Sequence, residues 1–123
     1  MHRADQLVAA SISGAVLVAV SLVWIGESYA TQGTGNPEAG KKIYLESCQS
    51  CHGPTGKGDS DLAVHLTPPP ANLAAMATQT KTDAQLRKII LEGRPGTAMA
   101  SFDGAFEEAQ LSDLIAYLRS LEP

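Results

Sequence analysis

Positive charge is scarce in this sequence. Nine lysines and arginines stand against thirteen acidic residues, for a formal net charge of −4. No basic stripe runs along the chain, which excludes the electrostatic footprint of a nucleic-acid binder. The acidity is also too weak and too scattered for a disordered acidic tail. Aromatic residues are few: beyond residue 30 there are only Tyr44, Phe102, Phe106 and Tyr117, with no tryptophan. Alanine supplies 12 of the 35 apolar residues in that region, so a core built from side chains alone would be thin. A domain of this size needs a staple, whether a disulfide, a metal or a bound cofactor. Cys48 and Cys51 are the only two cysteines. No apolar residues alternate with polar ones as a half-buried strand requires. No internal repeat is visible, and 123 residues allow one small domain.

What the sequence does have is unevenly placed. Residues 7–25, LVAASISGAVLVAVSLVWI, carry no charge and follow His2 and Arg3. At 1.5 Å per residue such a helix spans about 28 Å, close to the hydrocarbon thickness of a bilayer. Ser28-Tyr29-Ala30 behind it has the small residues of a secretory cleavage site, with cleavage after Ala30. Residues 1–30 are therefore a membrane anchor or a signal peptide. Either places the rest of the chain outside the cytoplasm, because the charged N-terminus stays inside. A buried core helix is excluded, since so small a domain cannot cover it on every side. Residues 31–37, TQGTGNP, have linker composition, and residues 38–123 form the domain.

Within the domain the periodicity is helical. Asn36 with Pro37 starts a helix reaching about His52. Residues 53–72, with Gly53, Pro54, Gly56, Gly58 and Pro68-Pro69-Pro70, form an irregular loop. A short helical turn is expected over Leu73–Ala77. Thr82 and Gln85 make a capping box for a helix that stops at Gly93. Arg94–Gly104 is a second loop. A last helix runs from about Phe106 to Leu121, with its apolar stripe at positions 111, 114, 115 and 118. The fold class is all-α, with three main helices and long loops, behind an N-terminal transmembrane or signal helix.

The chemistry lies in Cys48-Gln49-Ser50-Cys51-His52, the C-x-x-C-H pattern of c-type haem attachment. Two cysteines three apart on a helical turn face the same way, so both thiols reach the vinyl groups of one porphyrin. His52 then lies beneath the iron. Three alternatives compete. A disulfide suits an exported protein, a redox dithiol belongs to a βαβ context that is missing here, and zinc needs further ligands where only His2 and His65 remain.

With these residues in place, the region from about Asn36 to Leu121 resembles a class I mono-haem cytochrome c. Gly40 and Tyr44 stand eight and four residues before the first cysteine, as in that family. Leu114 and Tyr117 match its aliphatic-x-x-aromatic pair on the last helix. The resemblance implies that the first and last helices cross at Gly40, with Tyr44 and Tyr117 packed there. It implies one covalent haem c on Cys48 and Cys51, with iron held by His52 and Met99. Met99 lies in RPGTAMASF, a loop like that of the family's methionine ligand, although Ala100 follows it where the family often has proline. Met76, His65 or no protein ligand are the other choices for the sixth position, and a methionine in an apolar stretch is ordinarily core filler. The resemblance also implies that a loop proline carbonyl orients His52; Pro68, Pro69 and Pro70 are the candidates, and the sequence does not choose among them. Arg94 is expected to pair with a haem propionate, against an ordinary solvated arginine. Asn72 either reaches a propionate or caps the turn that follows it. Lys41, Lys42 and Lys57 form a small steering patch or simply a solvated face.

The function expected from all this is one-electron transfer by a His/Met-ligated haem, not enzymatic turnover. Its partners are redox proteins or a membrane oxidoreductase complex. Its place is the periplasmic side of the bacterial inner membrane, anchored through residues 7–25 or released after Ala30. The alternative is a haem enzyme or a gas or peroxide sensor with a labile sixth ligand.

Overall fold

The computed structural model describes residues 35–121. The segment read as anchor or signal lies outside the described residues, as does most of the linker. Among the described residues five α-helices follow one another: α1 Pro37–Ser47, α2 Gln49–His52, α3 Met76–Gln79, α4 Asp83–Glu92 and α5 Glu108–Arg119. A 3-10 turn at Ala63–His65 interrupts the loop between α2 and α3. There is no strand among the described residues, and none of their helices is long and apolar enough to cross a membrane.

Local chemistry sets most of these boundaries. The Asn36 side chain accepts the N–H groups of Glu38 and Ala39, and Pro37 fills the first helical position. Thr82 and Gln85 close a reciprocal capping box on α4. Gly93, at φ 69°, ends that helix in a conformation that a side chain would strain.

Three boundaries differ from the periodicity. The expected single helix through His52 breaks at Cys48, whose φ of −121° leaves the helical range. The Tyr44 hydroxyl bonds the carbonyl of Gly53, nine residues on. A straight helix would carry Gly53 about 13 Å away along its axis, so the chain must turn back. The turn expected at Leu73–Ala77 is helical only from Met76, because Asn72 spends its side chain on the Ala74 N–H. The last helix begins at Glu108, not Phe106. Glu107 and Gln110 form its capping box, and Phe106 stays outside it, stacked on Phe102 with ring centroids 5.5 Å apart.

The core lies where α1 crosses α5. Tyr44 and Leu114 are fully buried there, and Leu111 nearly so. The rings of Tyr44 and Tyr117 meet at 5.1 Å and a 54° tilt. Each such side chain contributes roughly 1.5–3 kcal/mol by leaving water. Gly40 allows the approach: a Cβ there would sit 2.5 Å from the carbonyl carbon of Asp113 and 2.9 Å from the Leu114 nitrogen. Leu86 and Ile90 of α4 complete the cluster, and Ile43, Leu73, Met99 and Phe102 pack around it.

Candidate haem site

Cys48 sits at the break between α1 and α2, and Cys51 and His52 lie in α2, so all three share a single turn. The two half-buried thiols are not bonded to each other. Burial, then the neighbouring Cys51, pushes the Cys48 thiol up to about 11. A redox dithiol works through a depressed thiol pKa, and burial moves the Cys48 thiol the other way. Zinc fails. Among the described residues no group of three or more His, Cys, Asp or Glu comes together to hold a metal ion.

The His52 ring is fixed by its partner. Its Nδ1 lies 3.0 Å from the carbonyl oxygen of Ala71. A carbonyl only accepts, so Nδ1 carries the proton and Nε2 keeps its lone pair for a ligand bond. Burial lowers the imidazole pKa, against the opposing pull of the Ala71 bond, and this favours the neutral form that ligates metal. The orienting carbonyl is thus that of Ala71, not of Pro68, Pro69 or Pro70. Pro70 instead places its own carbonyl beside Gly58, 2.5 Å from where a Cβ would stand. With its carbonyl aimed there, the next residue, Ala71, is the one left facing His52. No side-chain signal marks a backbone carbonyl, so the sequence carried no pointer to Ala71.

The other candidates differ in burial. Met99 is half-buried against the core cluster, in the loop between α4 and α5. Its carbonyl accepts the Arg94 N–H at 2.9 Å, and its own N–H donates to Thr97 Oγ1 at 3.2 Å. Ser101 Oγ then bonds the Leu91 carbonyl at 2.6 Å, and the Phe102 N–H reaches Ile90 at 3.2 Å. The loop is tied to the end of α4 on both sides of Ala100, which offsets the missing proline. Met76 is 67% exposed at the start of α3. His65, Arg94, Lys41, Lys42 and Lys57 are exposed. Asn72 caps the turn after it and holds Thr78 Oγ1 through its carbonyl. Two hydroxyls near the motif were not singled out by the sequence: that of Tyr44, and that of Ser60, which donates to the Cys51 carbonyl.

Two thiols on one helical turn, followed by a neutral imidazole whose second nitrogen is tied back, define a domain built to attach a porphyrin covalently. The family model for cytochrome c matches residues 37–122. The chain belongs to the cytochrome c family and binds haem c covalently through Cys48 and Cys51. It is 37% identical over 84 residues to the dihydro-heme d1 dehydrogenase of Pseudomonas aeruginosa, a match covering 68% of this chain and 15% of that protein. It is 30% identical over 83 residues to the cbb3-type cytochrome c oxidase subunit FixP of Bradyrhizobium diazoefficiens, covering 67% of this chain and 26% of that one. It is 31% identical over 90 residues to cytochrome c-554(547) of Halothiobacillus neapolitanus, covering 72% of this chain and 99% of that protein. The chain therefore spans only a small part of the first two relatives and nearly the whole of the third.

Proposed function

We propose that the chain is a one-electron carrier or electron-transfer subunit, in which His52 and Met99 would hold the haem iron. The observation that carries this reading is the His52 ring, neutral and tied through Nδ1 to Ala71, beside two unpaired thiols. When bound, haem c supplies the Fe(III)/Fe(II) couple. The protein's residues do the rest. Cys48 and Cys51 fix the group to α2, Ala71 sets the imidazole, and the tied Arg94–Phe102 loop presents the Met99 thioether. With both a thioether and an imidazole as ligands, the iron would have a raised potential and no position open to substrate, which suits electron transfer over turnover. Arg94 serves a propionate, which its exposed position beside the Met99 loop permits.

The donor and acceptor are redox proteins or a membrane oxidoreductase complex outside the cytoplasm. The likeness to FixP, an oxidase subunit, supports the subunit form, and that to cytochrome c-554(547) supports a free carrier. Residues 1–30 anchor the protein to the periplasmic side of the bacterial inner membrane or are removed after Ala30. Residues 31–37 link them to the domain at 38–123. A second reading, a haem enzyme, has one observation in its favour, the likeness to a dehydrogenase. The test is carbon monoxide binding to the reduced protein at neutral pH. A carrier with Met99 on the iron shows no binding, and an enzyme or sensor with a labile position binds readily. Fractionation of washed membranes, with haem protein retained or released, decides the anchor.

A further inference from the structure

Three consecutive carbonyls close the haem-binding turn, and each takes a donor from outside it. The Cys51 carbonyl accepts from Ser60 Oγ at 2.8 Å. The His52 carbonyl accepts from the Gly58 N–H at 2.8 Å. The Gly53 carbonyl accepts from the Tyr44 hydroxyl at 2.6 Å and from the Gly56 N–H at 3.2 Å. The last carbonyls of a helix have no partner within it. A helix of one turn also has almost no cooperative stability of its own, so these outside donors determine how α2 sits.

The glycine N–H groups come with any sequence that makes this loop, whereas the two hydroxyls are side-chain choices. Packing at the α1–α5 crossing asks only for an aromatic ring at position 44, and phenylalanine would fill the same space. The Tyr44 hydroxyl is buried with its ring and spent on the residue after the ligand. Ser60 is oriented by a second bond, accepting the Ala63 N–H at 3.0 Å, so its proton is left for Cys51. Ser60 thus holds the peptide group before His52, the Gly58 N–H holds the one after it, and Tyr44 holds the Gly53–Pro54 peptide one residue further on. With those groups fixed, the Cα–Cβ direction of His52 is fixed, and the Ala71 contact sets the remaining rotation of the ring.

We infer that Tyr44 and Ser60 are positioning residues for the iron ligand, their hydroxyls setting the plane of the His52 imidazole from behind. This rests on the reading of His52 as ligand. The experiment uses haem-loaded full-length protein, with proton NMR of the oxidised form, where the spread of the haem methyl resonances reports the orientation of the axial imidazole. Tyr44→Phe and Ser60→Ala attach haem covalently, and each changes the methyl pattern, the double variant more than either. Ser60→Thr, which keeps a hydroxyl, restores the original pattern. Tyr117→Phe takes a hydroxyl from the same aromatic pair without touching the turn and leaves the pattern alone. Unchanged methyl patterns in Tyr44→Phe and Ser60→Ala, even with lowered melting temperatures, overturn the inference while the ligand reading stands. Absence of covalent haem from the unaltered protein overturns both.

Discussion

Gly40→Ala sets two effects of opposite sign against each other. In an exposed helix interior the change favours folding by about 1 kcal/mol, because glycine loses more backbone freedom on folding. At this crossing the new methyl lands 2.5 Å from the Asp113 carbonyl carbon and 2.9 Å from the Leu114 nitrogen, and closer still to the Asp113 oxygen. All are backbone atoms of α5, so no rotamer change relieves the clash. Restoring ordinary contact requires α1 to retreat by about 1 Å, which opens the fully buried seam at Tyr44 and Leu114. Overpacking of this kind costs roughly 1–3 kcal/mol, and loosened contacts among the buried rings add to it. Set against the propensity gain, the net effect is a loss of about 1–2 kcal/mol, the packing loss being the larger. For a domain of this size that lowers the melting temperature by on the order of 10 °C. Thermal unfolding of the haem-loaded protein, followed by far-ultraviolet circular dichroism, reads it directly. A melting temperature equal to or above that of the unaltered protein would refute the close-crossing argument.

Other perturbations test other parts of the structure. The Arg119 guanidinium reaches Asp83 and the carbonyls of Gln79 and Lys81, fastening α3 and α4 to α5. Arg119→Met therefore costs about 2 kcal/mol in urea unfolding, and Arg119→Lys recovers only part, because an ammonium lacks the planar fork. Thr82→Ala removes one half of the α4 capping box and costs about 1 kcal/mol, while Thr82→Ser keeps most of it; the urea midpoint moves with the slope unchanged. Burial raises the Tyr44 phenol above its ordinary 10.0, so the folded protein holds that proton more tightly than the unfolded chain. The resulting stability is whole below pH 10 and drains away as pH rises beyond it. Melting temperatures taken across that range fall less steeply in Tyr44→Phe. Some slope remains, because burial raises the Tyr117 phenol too.

The parts of the molecule written in side chains were legible. The motif at 48–52 pointed to haem, Asn36 and Thr82 marked helix starts, and Gly93 marked a stop. The resemblance carried by Gly40, Leu114 and Tyr117 located the helix crossing. What the sequence hid lies in the backbone and in tertiary contacts. Periodicity runs unbroken from Pro37 to His52, and the break at Cys48 becomes necessary only once the Tyr44 hydroxyl reaches Gly53. A carbonyl belongs to every residue, so no residue type separates Ala71 from Pro70. Glu107 heads its capping box in place of the usual serine or threonine, which hid the start of α5. Tyr44 counted as packing because a ring explains its position. Its hydroxyl gains a role only when the carbonyl it meets is known.

The central claim is an iron held by His52 and Met99. Its most direct test is the absorption spectrum of the oxidised protein at neutral pH, compared with Met99→Ala and Met76→Ala. The account predicts the weak long-wavelength band of iron–thioether ligation in the unaltered protein and in Met76→Ala, and its loss in Met99→Ala. A band that survives Met99→Ala, or an unaltered protein that never shows one, would contradict it.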